Sequence, residues 1–533
     1  MSVSRNDGPA LSRRDLFRLA GGAAGAAGLF AAARFVPPIV GGDERHLPSL
    51  PSLDHAPTLE SKVNISISTT PAGQILRFQS RPDLQLALPQ LSTDLPGQDP
   101  GVILTDTHAG PGGQGPLILD SSGRQPVWFN QISLDADPSK RAFNLRLGRY
   151  KGQPVLSWFE GAVVNEHGEG HYVITDSTYS TVKTVQAGNG YVGDLHEFFL
   201  TPQGTAYFTC FGLGHADLRP YGGSANGAFY YGVAQEVDVD TGKVLFQWRS
   251  DQQVSFDDSY CTPEQYGTEP WDYFHINAIS LDGNGDLLIC SRNTSTIYKV
   301  SRSTGEVVYR IGGKQSDFSF ASGAQFAWQH DATAQPDGTI TVFDNGAGVE
   351  VTQPESRALV LSLNMSSKTV ELFHEYPHPG GALLANALGS VQLLESGHTF
   401  IGWGNRGWFT ELGTAGQTLL NGRLAGDTTL SYRAFRSPWT AKPPGPPDIA
   451  VEAAGQTTMV YASWNGATEV DRWAVLGGPS KNNLSVVGLA PKAGFETEIT
   501  VPGRPAHVAI AALDAGSNEL GRSGTLKSPG GGS

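Results

Sequence analysis

Three histidines share one spacing in this sequence. His196, His275 and His330 each lie eight residues before the turn glycine of a strand–turn–strand unit. A neutral imidazole nitrogen is both a nucleophile and a proton acceptor near neutral pH. One such histidine alone is usually a structural hydrogen-bonding group, but three in the same register are expected to converge. The spacing therefore predicts a histidine cluster suited to proton transfer.

Converging imidazoles are also common ligands of zinc and copper. Against a metal, no carboxylate shares the register, and none of the three histidines takes part in an H-x-H or H-x-x-x-H spacing. The pattern therefore favours a site without a metal. A metal- or quinone-dependent oxidoreductase stays open as an alternative from another class of enzyme.

The units that carry these histidines belong to an all-β region between about residues 100 and 440. Runs of β-branched and aromatic residues alternate there with Gly, Asp and Asn turns, and no long amphipathic helix interrupts them. Six strand–turn–strand units begin near residues 117, 171, 198, 279, 332 and 391. They predict a six-bladed β-propeller, in which the starts of the innermost strands surround a central channel. The three histidines would then lie side by side at the channel mouth.

Proline-rich segments divide the rest of the chain. Residues 34–75 are predicted to be a linker and N-terminal extension, followed by the propeller at 76–440 and a second linker at 441–447. Short alternating runs in 448–527 favour a small β-sandwich that resembles fibronectin type III or immunoglobulin modules. Residues 528–533 read as a flexible Gly/Ser tail.

The N-terminus resembles a twin-arginine signal peptide. Arg13 and Arg14 precede an apolar run from Leu19 to Ala33, which is too short to cross a bilayer as a helix and ends in small residues. We expect residues 1–33 to be removed near Ala33 after export by the twin-arginine machinery, which places the mature protein in the periplasm or outside the cell. An uncleaved membrane anchor is the alternative.

Charge and cysteine content exclude some functions. The formal net charge of −14 repels phosphate backbones, so binding to nucleic acid or to anionic membranes is not expected. Three scattered cysteines are too few for a disulfide framework or a cysteine-based zinc site, although they allow one bridge. An anionic small substrate would need its own local positive site.

Several strings in the chain are similar to those of arylsulfotransferase (ASST) family propellers. They are, in chain order, His275-Ile276-Asn277-Ala278, Ser291-Arg292-Asn293-Thr294, Tyr309-Arg310-Ile311-Gly312-Gly313, Gln329-His330-Asp331-Ala332, Phe343-Asp344-Asn345-Gly346, Gly389-Ser390-Val391-Gln392, Gly402-Trp403-Gly404 and Ser431-Tyr432-Arg433-Ala434-Phe435. Each string alone is weak evidence, but their collinear order over about residues 76–440 is specific. The chain differs from characterised members in lacking their N-terminal domain and in adding the C-terminal module.

The resemblance implies a six-bladed propeller that moves a sulfuryl group from a phenolic sulfate ester to a phenol through a sulfated histidine. This reaction requires no nucleotide sulfate donor, metal or organic cofactor. In agreement, the chain carries no G-x-x-x-x-G-K-S/T phosphate cradle. By position, His330 is the expected nucleophile. His275, His196, Asn277 and Arg292 are expected to surround the sulfuryl and phenolic oxygens, and Ser390 is the candidate hydroxyl of the last unit.

Each of these residues also has a structural interpretation. Arg292 would suit an inter-blade salt bridge, Asn277 a turn, and Asp331 either the orientation of the His330 ring or a strand cap. Two further functions stay open for the whole protein. One is an arylsulfatase-like hydrolase that uses water at the same site, and the other is a non-catalytic extracellular binding propeller whose C-terminal module docks a carbohydrate or partner protein.

Overall fold

The computed structural model describes residues 49–134, 137–266, 270–426 and 428–529. The predicted signal segment, part of the first linker and residues 530–533 lie outside the described residues. Within the described ranges the regular structure is almost entirely β, with one helical turn, α1 (Pro263–Tyr266), and four short 3₁₀ turns at Arg219–Tyr221, Ser250–Gln252, Phe256–Asp258 and Gly404–Arg406. The all-β prediction is confirmed. No helix among these residues is long and apolar enough to cross a membrane.

The strands are numbered in chain order. The first eight are β1 (Ser61–Val63), β2 (Ser66–Thr70), β3 (Gly73–Arg77), β4 (Gln85–Ala87), β5 (Pro89–Asp94), β6 (Val102–Thr107), β7 (Gly115–Leu119) and β8 (Pro126–Phe129). The next nine are β9 (Arg141–Tyr150), β10 (Gln153–Val164), β11 (His167–Thr175), β12 (Thr181–Val185), β13 (Gly193–Leu200), β14 (Thr205–Ala216), β15 (Gly227–Asp238), β16 (Val244–Arg249) and β17 (Trp271–Asp272). The following nine are β18 (Ile276–Leu281), β19 (Leu287–Ser291), β20 (Thr296–Val300), β21 (Val307–Gly312), β22 (Ser319–Phe320), β23 (His330–Ala334), β24 (Ile340–Asp344), β25 (Arg357–Asn364) and β26 (Thr369–Pro377).

The remaining strands reach the C-terminal region. They are β27 (Ser390–Leu393), β28 (Thr399–Gly402), β29 (Trp408–Leu412), β30 (Thr418–Leu424), β31 (Phe435–Ser437), β32 (Asp448–Ala454), β33 (Thr457–Ser463), β34 (Arg472–Ser480), β35 (Asn483–Pro491), β36 (Glu496–Pro502), β37 (His507–Leu513), β38 (Glu519–Arg522) and β39 (Leu526–Lys527).

Most of these strands form antiparallel sheets of consecutive strands. The sheets are β9–β12, β13–β16, β18–β21, β23–β26 and β27–β30, and a single pair, Gly170 opposite Gly193, joins the first two. Their first strands contact one another in chain order, from β9 through β13, β18, β23 and β27 to β31. Strand β31 pairs with β6, which contacts β9, so the series closes on itself. The hydrophobic core lies between neighbouring sheets.

Strands from distant parts of the chain complete two sheets. Strand β5 adds to the outer edge of β27–β30, and β31 adds to the sheet β6–β8. Two further sheets, β1-β36-β33-β32 and β35-β34-β37-β38, share one apolar core near the C-terminus. The N-terminal strand β1 is therefore part of a C-terminal sheet, because it pairs with β36.

A buried charge network connects residues of β9, β13 and β23 with the loop that leads into β31. The Arg433 guanidinium binds both carboxylate oxygens of Glu197 at 3.0 and 3.1 Å and lies 3.4 Å from Asp331. Arg146 donates to the same Glu197 at 2.7 Å. Burial raises the pKa of Asp331, although the positive charges of Arg433 and Arg146 oppose this effect. Two cations thus balance two carboxylates at the centre of the series of strands.

We expect Arg433→Met to destabilise the fold by about 3–5 kcal/mol, since it leaves two buried carboxylates with one cation. Chemical denaturation followed by tryptophan fluorescence measures this loss. The double variant Arg433→Met/Asp331→Asn should recover part of it, because one uncompensated charge is removed. The control is Arg219→Met, which breaks an exposed pair with Asp217 and should leave the transition in place. An unchanged transition in Arg433→Met would show that the network does not stabilise the fold.

Candidate active site

The three predicted histidines lie where their strands depart from regular pairing. The register between β23 and β24 shifts between His330 and Thr333, and that between β18 and β19 shifts between Ile276 and Ala278. Strand β13 is out of register with β14 from Gly193 to Phe198, a stretch that includes His196. Such bulges bend a strand and re-aim its side chains. At the start of a strand, one residue can then face the site while the next residue faces the charge network.

His330 is held by an asparagine from the neighbouring strand. Its Nδ1 lies 2.7 Å from Oδ1 of Asn345. The Asn345 amide nitrogen donates to the carbonyls of Ala385 and Leu388 at 2.7 and 3.0 Å, which fixes the amide orientation. The Oδ1 atom therefore faces the ring and accepts the Nδ1 proton. This tautomer leaves the lone pair on Nε2, which has no hydrogen-bond partner among the described residues.

The surroundings of His330 keep its imidazole neutral. Burial lowers its pKa well below the ordinary value, and the positive charge of Arg292 lowers it further. The hydrogen bond to Asn345 opposes this shift, while His275 and His196 add to it. A neutral ring with a free Nε2 is the form that attacks an electrophile.

His196 is oriented by a carboxylate two residues earlier. Its Nδ1 lies 2.7 Å from Oδ2 of Asp194, which also accepts the His196 backbone N–H and the Thr209 hydroxyl. Burial alone would raise the pKa of Asp194, but the charge of His196 and its hydrogen bond lower it to about 2. Asp194 is thus an anion that accepts the Nδ1 proton, which leaves Nε2 as the ring nitrogen of His196 that Asp194 does not engage.

His275 is oriented by a carboxylate that it shares with a fourth histidine. Oδ2 of Asp272 lies 2.5 Å from Nδ1 of His275 and 3.0 Å from Nε2 of His167. His275 has a left-handed backbone, with φ of 54°, which folds its N–H back onto Oδ1 of Asp272 at 2.9 Å. Burial would raise the pKa of Asp272, but the charges and hydrogen bonds of His275 and His167 lower it below its usual range. Burial also lowers the pKa of His275.

These imidazoles form one cluster. The ring centroids of His196 and His275 are 4.8 Å apart and the rings are nearly perpendicular. Both rings influence the pKa of His330, together with Arg292, whose backbone N–H donates to the His275 carbonyl. The structure thus brings together His196, His275, His330 and Arg292 as predicted from the sequence.

Arg292 supplies a buried positive charge that lacks a counter-ion in the part of the chain that the structure describes. Its side chain is 6% exposed and donates to the Asn293 side-chain oxygen at 3.2 Å and to the Asn386 carbonyl at 3.3 Å. Its Nε has no partner, and no carboxylate among the described residues forms an ion pair with it. A buried guanidinium is costly unless an anion completes its hydrogen bonds. The site is therefore suited to a small anion.

Two of the predicted site residues, Asn277 and Ser390, are engaged by backbone groups. The Asn277 amide donates to the Gln329 carbonyl at 2.8 Å and so holds the backbone before His330, while its buried Oδ1 lacks a partner among the described residues. The Ser390 hydroxyl both donates to and accepts from the backbone of Ala434, at 3.0 and 3.1 Å. Asp331 accepts the Val391 N–H and joins the charge network, so it does not orient the His330 ring.

Four residues of the site received no role from the sequence: Asn345, Asp194, Asp272 and His167. Two of them had a local signal, because Asp194 and Asp272 lie two and three residues before a predicted histidine. A similar pair, Asp106 and His108, is also hydrogen bonded, at 3.0 Å. Asn345 and His167 approach the site from other strands and have no such signal.

Carboxylates and imidazoles meet in two groups that offer metal ligands. In the active-site cluster, one nitrogen of His167, one of His275 and an oxygen of Asp272 lie within 4.8 Å of one another. Both nitrogens point at the same oxygen at N–H···O hydrogen-bonding distances, so the contacts are explained by the two ring protons. The second group, Asp99, His398 and Glu411, is next to Arg436, which pairs with Glu411.

The lowered pKa of His330 predicts an unusual pH dependence for the nucleophilic attack that the family resemblance implies for this residue. A free imidazole loses half of its nucleophilic form near pH 6.5. Because the folded pKa is lower, attack should persist as the pH falls through 6.5 and decline only in more acidic solution. The first-turnover burst of 4-nitrophenol from 4-nitrophenyl sulfate, stopped in alkali, measures this step, and its good leaving group needs little acid catalysis. An acid limb centred at or above pH 6.5 would contradict the assignment.

Comparison with known proteins identifies one family. Residues 147–424 match the family model described as arylsulfotransferase (ASST). No curated protein matches the chain significantly.

Several solved structures resemble parts of the chain at low identity. One is a protein of unknown function from Bacteroides caccae, with 10% identity and a TM-score of 0.36, covering 63% of this chain and 98% of that one. Another is a periplasmic gluconolactonase from Pseudomonas aeruginosa, with 11% identity and a TM-score of 0.32, covering 80% and 96%. A third is a catalytically inactive virginiamycin B lyase from Staphylococcus aureus, with 10% identity and a TM-score of 0.32, covering 78% and 99%. These TM-scores are too low to support an argument.

Proposed function

The chain belongs to the arylsulfotransferase (ASST) family, and we propose that it moves a sulfuryl group from a phenolic sulfate ester to a phenol through a sulfated His330. One observation carries this proposal: a buried guanidinium without a counter-ion among the described residues lies beside three imidazoles whose Nδ1 atoms are each hydrogen bonded, so that Nε2 is the nitrogen left for a substrate. A sulfate monoester is an aromatic group joined to a small anion. The cation suits the anion and the imidazoles suit the transfer.

In the first half-reaction, Nε2 of His330 attacks sulfur while the bond from sulfur to the phenolic oxygen breaks. Arg292 donates to the sulfuryl oxygens and holds sulfur in line with Nε2. Negative charge grows on the departing oxygen, and His196 or His275 in its imidazolium form gives that oxygen a proton. The products are a phenol and a sulfated His330.

In the second half-reaction, the acceptor phenol attacks the same sulfur. Nε2 of His196 or His275 takes the phenolic proton as the new sulfur–oxygen bond forms and the sulfur–nitrogen bond breaks. The imidazolium formed in this step supplies the proton for the next donor, so protons balance over a cycle. Asp194 and Asp272 hold the two bases in the required tautomer and stabilise their charged forms.

The fold supports a finer description. Divided at the contact between Gly170 and Gly193, the closed series consists of six four-stranded units, with β31 as the first strand of the unit that contains β6–β8. We infer a six-bladed β-propeller whose channel mouth carries the histidines, followed by a sandwich made of the two C-terminal sheets and β1. Residues 1–33 remain our proposed twin-arginine signal, and the proposed location is the periplasm or the exterior.

The proposal is tested by the release of 4-nitrophenol from 4-nitrophenyl sulfate, with no nucleotide sulfate donor added. We expect release to rise with the concentration of added phenol and phenyl sulfate to form in equal amount, since the phenol removes the sulfuryl group from His330. An arylsulfatase would give release that does not depend on phenol and would form inorganic sulfate. Release of 4-nitrophenol without formation of phenyl sulfate would therefore show that the protein is a hydrolase and not a transferase. The absence of any release would contradict both reactions for this donor.

A further inference from the structure

A cavity next to the histidines bears on which phenols the site accepts. A cavity of about 410 Å³ is enclosed by the β10–β11 turn, the segment before β13 and the β14–β15 hairpin. We propose that this cavity, the aryl pocket, receives the second ring of the acceptor, so that preferred acceptors are phenols with at least two aromatic rings. This inference rests on the proposed transfer reaction and concerns which phenol accepts the sulfuryl group.

The inner end of the aryl pocket lies next to the catalytic cluster. His167 and Phe211 both line it, and their rings stack with centroids 3.6 Å apart. The Phe211 centroid is 5.9 Å from that of His196 and 6.0 Å from that of His275. In the proposed arrangement, a phenolic oxygen at Nε2 of either base places its ring beside Phe211, and the second ring extends into the pocket.

The side walls are aromatic and held in place. The Tyr230 ring meets the His167 ring edge to face at 4.5 Å, and its hydroxyl accepts a hydrogen bond from the Asn165 amide at 3.1 Å. The hydroxyls of Tyr191 and Tyr231 are 3.2 Å apart on the same side of the pocket. Fixed aromatic walls of this kind contact a flat ring by stacking or by edge-to-face packing.

The rim of the aryl pocket exposes aliphatic side chains. Val164, Val192 and Leu213 are 39%, 52% and 55% exposed, although large aliphatic residues are normally covered. These three side chains form an apolar rim around one cavity. Exposed apolar patches of this kind are found at ligand sites. The described lining contains no lysine or arginine, and Glu169 contributes a carboxylate. The lack of a cation and the carboxylate of Glu169 favour a neutral extension over an anionic one.

The size of the pocket separates one-ring from two-ring acceptors. A cavity of roughly 150 Å³ is sufficient to hold benzene. The aryl pocket has more than twice this volume and lies within the range of sites for drug-sized ligands. A single phenol ring would leave most of this volume filled with water, whereas a second ring would stack on the aromatic side chains and displace that water.

The test compares phenol with 4-phenylphenol as acceptors. The wild-type protein should show a higher kcat/KM for 4-phenylphenol by about tenfold or more, which is a typical gain for filling an apolar pocket. Leu213→Asp and Val192→Asp place a charge at the rim, and each should reduce this preference by about tenfold. The matched control is Val182→Asp, because Val182 is 41% exposed on β12 outside the pocket. In this variant the ratio of kcat/KM for 4-phenylphenol to that for phenol should equal the wild-type ratio.

Direct binding separates failure of this inference from failure of the proposed reaction. Calorimetry with 4-phenylphenol and the His330→Ala protein needs no catalysis. Binding that is weakened by Leu213→Asp but not by Val182→Asp supports the pocket even if no sulfuryl transfer is found. Equal kcat/KM for the two acceptors, or an equal loss for both acceptors in the rim variants, overturns the inference while leaving the transfer reaction intact.

Discussion

Replacement of His330 by alanine is expected to abolish sulfuryl transfer. The variant lacks the only atom that we place in bond-forming contact with sulfur, so neither half-reaction has a path through a covalent intermediate. Incubation with an aryl sulfate labelled with ³⁵S, followed by alkaline denaturation to preserve the nitrogen–sulfur bond, should label the wild-type chain and leave His330→Ala unlabelled. Phenol-dependent release of 4-nitrophenol should fall to background in the same variant.

Two controls make this result specific. His374→Ala removes an exposed histidine from β26 and should retain labelling and turnover. His330→Gln keeps a polar side chain near Asn345, so loss of labelling in a Gln variant with a wild-type melting temperature excludes unfolding as the cause. Retention of label in His330→Ala would transfer the nucleophilic role to His196 or His275 and contradict the assignment.

Replacement of Arg292 by methionine should reduce kcat/KM for the donor by about 10²–10³, as is typical when one charge-stabilising donor is removed. The sulfuryl oxygens then lose the buried cation that orients them. Arg292→Lys keeps the charge but not the planar fork and should recover activity only in part. The exposed Arg219→Met variant controls for loss of a cation elsewhere.

A second readout separates this electrostatic role of Arg292 from a structural one. Its positive charge helps to lower the pKa of His330, so its removal should raise that pKa toward the ordinary value. The acid limb of the first-turnover burst should therefore move to higher pH in Arg292→Met, while Arg292→Lys stays nearer to the wild type. A loss of activity without any shift of the acid limb would indicate that Arg292 only supports the local fold.

The sequence was sufficient to predict which side chains meet at the candidate site. The common distance to a turn glycine predicted that His196, His275 and His330 converge, and the order of family-like strings added Arg292. The all-β class followed from alternating runs and turn residues. These features depend on local spacing, which a single sequence contains.

The residues that orient the reactive groups were harder to predict. Asn345 reaches His330 across a strand pair, and His167 reaches Asp272 from a strand about a hundred residues earlier in the chain, so nothing local connects them. The assignments of Asn277 and Ser390 assumed that each side chain would face the site, whereas a hydrogen bond to backbone engages each one. The positive φ of His275 and Asp331 arises from tertiary contacts that hold a backbone conformation few residues favour.

The long-range strand pairs have a consequence for synthesis of the chain. Ser61 is opposite Ile499, Gln90 is opposite Arg423, and Leu104 is opposite Phe435, so early strands must wait for late ones. A nascent or truncated chain that ends before residue 435 leaves β6 with an open edge, which is a template for aggregation. Because contacts this distant in sequence form slowly, completion of translation is a precondition for safe folding. A premature stop codon late in the gene would therefore release a chain prone to aggregation rather than a smaller working enzyme.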